Sequence, residues 1–236
     1  MIGLAASALI APYLVAPANI NLLVFSKTAA FRHDSIPEGR EMFLRLAGAN
    51  GWTVTFSEDA ELFDSDHLKS FSAVVFLLTT GDVLNNSQQA AMEAFIKSGK
   101  GYVGIHAASD TEYDWQWYGN LVGAYFAGHP AIQDANINIE DQNHPAMKHL
   151  PQQWKRKDEW YSFKANPRSR VHVLATVDEA SYQGGTMGKD HPITWCHEYG
   201  GGRAFYTALG HTKESYSEPA FVTMVSEAVK WVVSKN

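Results

Sequence analysis

The sequence predicts an α/β fold of the flavodoxin-like kind, a mostly parallel sheet with helices on both faces. Three observations carry that expectation. Short continuous apolar runs at Ile20 to Phe25, Ala73 to Leu78 and Tyr102 to Ile105 suit strands covered on both sides. Between them the apolar residues switch to helical spacing, first at Met42, Phe43, Leu46 and Ala47, then at Ala91, Ala94, Phe95 and Ile96. Titratable residues gather just beyond the apolar runs, where open α/β sheets bind ligands. Strands and helices in alternation imply right-handed crossovers and a parallel sheet.

The first strand, Ile20 to Phe25, leads into the loop Ser26 to Asp34, which carries His33. Ser35, Pro37 and Glu38 signal a helix start, with Ser35 as the expected cap. Trp52 to Phe56 alternates like a strand, and the acidic stretch Glu58 to Asp66 reads as a solvated connection. Ala73 to Leu78 exits into Thr79-Thr80-Gly81-Asp82, and Ser87 to Lys97 is helical. Gly99 to Thr111, GKGYVGIHAASDT, comprises a turn, a strand and a polar loop with His106 and Asp110. Trp115 to Val122 reads as a short aromatic-rich helix and Ile137 to Glu140 as a strand. The polar stretch Lys155 to Tyr161, bracketed by Pro151 and Pro167, reads as loop. Val171 to Val177, Ile193 to Glu198 and Ala204 to Leu209 read as strands, the last two joined by the turn Glu198 to Arg203. Pro219 opens a final helix with Phe221, Val225, Ala228, Val229 and Val232 on one stripe.

A length of 236 residues suffices for one α/β domain, expected over 19–236. Met1 to Ala18 is apolar, with no charge before Lys27, and ends in Ala16-Pro17-Ala18. It reads as a signal peptide, 1–18, which places the protein in the periplasm or outside the cell. Pro12 breaks the run, so a stable membrane anchor is not expected. A net charge of -6 supplies no basic stripe for nucleic acid. Cys196 is the only cysteine, which excludes an intrachain disulfide or a cysteine zinc site. A homo-oligomer is left open.

His106 terminates an apolar strand among small residues, Gly104, Ala107 and Ala108, a layout like a nucleophile elbow with histidine at its tip. His33, His129 and His211 also fall where the fold places the carboxyl edge of the sheet. Converging imidazoles with a carboxylate suit a divalent metal such as zinc, with His106, His129 and His211 as the expected ligands. The same groups could instead orient hydroxyls and transfer protons without metal. His106, His211, Asp110 and Glu159 are the candidate catalytic residues, with Asp158 a further carboxylate to test. His67, His149, His172 and His197 read as structural, while His144 and His191 precede prolines and shape turns. Trp115, Tyr118, Trp160, Tyr161 and Trp195 form a candidate stacking wall for a sugar ring, with His33 and Arg203 as further substrate contacts. Arg203 could equally pair with Glu198 across the hairpin.

Several separated motifs resemble one family. FRHDSI at Phe31 to Ile36, GYVGIHAASDT at Gly101 to Thr111, GHP at Gly128 to Pro130, DEWYSF at Asp158 to Phe163, HPITW at His191 to Trp195 and GGGRAFYTALGH at Gly200 to His211 are similar to those of ThuA-like, trehalose-utilisation proteins. The resemblance implies a class I glutamine amidotransferase-like fold and a setting in bacterial carbohydrate metabolism. It implies a saccharide as the small-molecule partner and processing of a glycan, disaccharide or keto-sugar, by hydrolysis or a lyase or isomerase step. Amidotransferases need a thiolate at the elbow. Here that position is His106, and Cys196 lies within a strand, so glutaminase chemistry is not expected. The alternatives are a non-catalytic carbohydrate-binding module and a metal-dependent hydrolase of a non-sugar substrate.

Overall fold

The computed structural model describes residues 19–234; the expected signal segment, 1–18, lies outside the described residues. In chain order the elements are β1 (Asn21–Phe25), α1 (Ile36–Asn50), β2 (Thr53–Ser57), α2 (Ser65–Leu68), β3 (Ala73–Leu77), α3 (Asn86–Lys97), β4 (Gly101–Ile105) and α4 (Gln116–Val122). Then follow β5 (Phe126–Gly128), β6 (Gln133–Ile139), β7 (Gln153–Asp158), β8 (Ser162–Phe163), β9 (His172–Val177), β10 (Pro192–Tyr199), β11 (Gly202–Thr207) and α5 (Pro219–Val233). Nine strands make one sheet in the order β2-β1-β3-β4-β11-β10-β9-β6-β7, and β5 pairs with β8 separately.

The sheet is mostly parallel. β2, β1, β3, β4 and β11 pair in parallel, while β10 and β6 run against their neighbours, so that β9 and β7 regain the common direction. Every residue of β3 and β4 is buried, as the unbroken apolar runs require. The order reverses between β2-β1 and β3-β4. Right-handed crossovers therefore place α1 on one face and α2 and α3 on the other. α5 packs across β4 and β11 and shares with α1 the short helical turn Lys213–Ser217. A side chain at Gly101 would sit 2.7 Å from Val232, so glycine is what lets α5 approach the sheet.

Two expectations are corrected. The polar stretch from Lys155 is an edge strand, β7, not a loop. Its alternation is regular, but two of the three inward residues, Trp154, Arg156 and Asp158, are charged, so a reading by hydrophobicity misses it. Ser35 stands at the start of α1 without a side-chain capping bond, and Pro37 in the first turn starts the helix instead. α3 carries the full reciprocal cap between Asn85 and Gln88.

Candidate functional site

Four segments far apart in sequence deliver side chains to the carboxyl edge of the parallel strands. The loop after β1 brings His33, the exit of β4 brings His106, the turn after β7 brings Glu159 and the exit of β11 brings His211. His106 takes a left-handed backbone conformation, φ 52°, which turns the chain sharply and aims the imidazole back over the sheet. Gly104 makes room for that turn, since a Cβ there would lie 2.8 Å from the Tyr102 hydroxyl and 3.0 Å from Tyr206. Tyr206 also donates to the His106 carbonyl at 2.8 Å.

One potential ligand atom from each of His33, His106, Glu159 and His211 lies within 4.8 Å of all the others. His106 Nε2 is 3.1 Å from His211 Nδ1, and Glu159 Oε2 stands 3.0 Å from His211 Nδ1 and 3.4 Å from His106 Nε2. His106 Nδ1 is 2.7 Å from the Ala208 carbonyl. A carbonyl only accepts, so Nδ1 carries a hydrogen, and Nε2 is the nitrogen that faces the cluster. The ring of His33 crosses those of His106 and His211 edge-on at 4.9 and 5.1 Å. Its buried Nδ1 has no hydrogen-bond partner.

The charges follow from burial. Burial pushes the Glu159 carboxyl up, but hydrogen bonds from His106 and His211 outweigh it and hold the group down at about 2. Burial, reinforced by the neighbouring His106 and His211 rings, lowers His33 to about 3, which keeps it neutral. For His211 burial works downward, and the hydrogen bond and charge of Glu159 overcome it and raise the group. His106 is fully buried under the Tyr161 ring, whose centroid is 4.0 Å away. Solvent reaches the cluster past His211 and His129, whose side chains are 19% and 40% exposed.

Other expected site residues are placed differently. His129 is absent from the four-residue cluster and meets the far oxygen of Glu159, Oε1, at 3.0 Å, while His33 takes the place in the ligand set that was expected of it. Asp110 accepts a 2.6 Å hydrogen bond from Tyr113, and burial raises its carboxyl against that bond. Tyr118, Trp160 and Trp195 do not form a sugar wall. All three are core: Tyr118 bonds to Tyr102 and the Ala108 carbonyl, Trp160 to the Gln133 carbonyl and Trp195 to the Val122 carbonyl. Trp115 stacks on Trp117, donates to Glu93 and lines a separate cleft of about 780 Å³ with Asp82, Asn85 and Tyr113. Arg203 lies at the wrong end of the sheet. It pairs in register with Gly101 at the start of β4, four residues before the His106 end, and donates to Ser234 and the Trp231 carbonyl.

Sequence reasoning also gave no role to Arg156. Its signal was the period-two alternation of β7, visible only once charged residues are allowed to face inward. Cys196 is buried 3.7 Å from His144 Nε2, and burial lifts its thiol to about 12, the opposite of an activated nucleophile.

Among solved structures, a ThuA-like protein from Bacteroides uniformis ATCC 8492 is 23% identical with a TM-score of 0.81, covering 96% of each chain. One from Parabacteroides merdae ATCC 43184 is 18% identical, TM-score 0.76, over 92% of this chain and 90% of that one. A β-galactosidase from Bacillus circulans sp. alkalophilus shares the fold over 91% of this chain and 30% of its own, at 11% identity and a TM-score of 0.56. These likenesses speak for the fold alone. No functionally curated protein matches the sequence. The family model for ThuA, described as trehalose utilisation, matches residues 21–232, nearly the whole described chain, and the protein therefore belongs to the ThuA family.

Proposed function

We propose that this ThuA-family protein is a carbohydrate-processing enzyme acting on a glycan, disaccharide or keto-sugar at the His33–His106–Glu159–His211 cluster. Hydrolysis and a lyase or isomerase step both fit imidazole acid/base groups beside a divalent metal such as zinc. The observation that carries the reading is the convergence of three imidazoles and one carboxylate within 4.8 Å. The residues fit a metal. His106 is fixed as the Nδ1–H tautomer by the Ala208 carbonyl, the usual outer support of a ligating histidine. His33 is neutral with an unpartnered buried nitrogen, and Glu159 is anionic. A bound divalent ion would supply a Lewis acid that polarises a substrate oxygen and activates water.

The chain's own groups handle protons and orientation. Glu159 holds His211 on one oxygen and His129 on the other, so the exposed His129 ring is the group placed to exchange protons with solvent. Tyr161 and Phe126, whose ring centroids are 4.2 Å apart, close the apolar side of the cluster. Export with removal of 1–18 belongs to the same reading and is checked by N-terminal sequencing of the natural protein.

The test is metal analysis of untagged protein, followed by turnover of trehalose, other disaccharides and their keto derivatives with and without chelator. Stoichiometric metal and chelator-sensitive turnover are expected. Turnover that survives chelation leaves the imidazoles as metal-free acid/base groups; no turnover on any saccharide favours a binding module and defeats the enzymatic reading.

A further inference from the structure

Two of the four cluster residues, Glu159 and His211, sit on turns 52 residues apart, and one buried carboxylate ties both turns together. Asp158, fully buried at the end of β7, accepts from the Glu159 amide at 2.9 Å and the His211 amide at 3.1 Å on Oδ1. On Oδ2 it accepts from the Gly210 amide at 2.9 Å and from Arg156 Nη2 at 3.0 Å. Arg156 is itself buried. Its Nη2 also donates to Ser215 Oγ at 2.7 Å, its Nη1 lies 3.2 Å from Glu218, and its guanidinium packs over the rings of Trp154 and Phe221. Trp154 completes the circuit by donating to Glu218 at 3.0 Å.

We infer that Asp158, locked by Arg156, is a positioning residue that sets the Glu159–His211 geometry on which the cluster depends. The inference rests on the functional reading of that cluster. A buried charge pair that served only stability could be replaced by apolar packing, and such replacement is often neutral. Here the carboxylate spends three of its four hydrogen bonds on the backbone amides of Glu159, Gly210 and His211. Gly210 has φ 113°, a conformation open to glycine without steric cost, and among the turns this freedom allows Asp158 fixes the one that presents His211 by accepting the Gly210 and His211 amides together. The carboxylate is also constrained along its own chain, because β7 pairs in register with β6 through Asp158 opposite Gln133. Neither catalytic contact nor metal ligation is assigned to Asp158, since all four of its bonds are inward.

The test compares zinc affinity, by competition titration, of the full-length natural protein, Asp158→Asn and Arg156→Lys, together with imidazole nitrogen NMR of each metal-free protein. Asp158→Asn keeps the shape but replaces one acceptor oxygen by a donor. It is expected to weaken zinc binding 10- to 100-fold, the range for outer-sphere partners of metal ligands. The His211 nitrogen signals are expected to move while those of His144, outside the cluster, stay. Arg156→Lys keeps the charge and loses the fork, so a smaller change in the same direction is expected, and this variant decides the matter if Asp158→Asn does not fold. Natural zinc affinity together with unmoved His211 signals in a folded variant overturns the inference. If the natural protein takes up no zinc, the metal reading alone fails, and the metal-free His211 signals decide the positioning role.

Discussion

His106 joins two demands at one residue, a left-handed backbone and a donor for the buried Ala208 carbonyl. Asparagine tolerates that backbone better than alanine and retains a side-chain donor. His106→Ala leaves a buried acceptor unpaired, at a cost of about 1–3 kcal/mol. His106→Asn is therefore expected to melt above His106→Ala, with zinc binding lost in both; equal melting temperatures would contradict the elbow account. His33 provides a pH test on metal-free protein. Its folded pKa of about 3 lies below the ordinary 6.5, so the unfolded chain binds the extra proton between those values. The stability tied to its neutral form is present above pH 6.5 and is lost as pH falls towards 3. Glu159, held at about 2 against an ordinary 4.5, and His144, lowered to about 4 mainly by burial, act in the same direction. Urea melts at stepped pH are expected to show a flatter acid limb in His33→Gln, by up to ~1.4 kcal/mol per pH unit for one proton. An unchanged slope would mean that His33 protonates as easily folded as unfolded.

At the scale of elements, the aromatic residues divide by the backbone that carries them. Tyr118 projects from α4 into the core, and Trp195 from β10 meets the end of the same helix. Gly123, which ends α4, has φ 96°, and a Cβ there would lie 2.4 Å from Trp195 Nε1. Gly123→Ala is expected to cost about 2–3 kcal/mol through backbone strain and overpacking, without changing zinc affinity. Thermal melts and zinc titration of the same preparation separate the two effects. A loss of ligand affinity with the fold unperturbed would return Trp195 to the substrate wall. β7 shows the complementary case, an element whose inward charges organise the site while its outward positions stay exposed.

For the whole molecule, the cluster binds together the exits of β1, β4, β7 and β11, three of them in the parallel core and one at the far edge of the nine-stranded sheet. A ligand held by all four segments stabilises the folded state by mass action. Zinc at 100 times its dissociation constant is worth about 2.7 kcal/mol, which for a chain of this size raises the melting temperature by roughly 5–10 °C. Calorimetry with zinc, then with excess chelator, is expected to show the rise and its reversal; no rise would sink the metal reading. No helix among the described residues is long and apolar enough to cross a membrane.

Apolar runs, helical stripes and the Gly-rich turns determined by themselves the α/β class, the parallel core and the carboxyl edge as the place where titratable residues gather, because burial and backbone periodicity are local properties of a chain. The same logic located His106 and His211 at strand exits. Only the tertiary structure decided that His33 stands in the cluster and His129 beside it, that Trp160 and Trp195 are core, and that Arg203 belongs to the opposite end. Those outcomes depend on which strands neighbour one another and which way each turn leaves the sheet, and neither is encoded in the spacing of residues along one segment. The Arg156–Asp158 pair was hidden for a further reason: charged residues facing inward look like a solvated loop until the partners that neutralise them, contributed from Gly210, His211, Ser215 and Glu218, are in place.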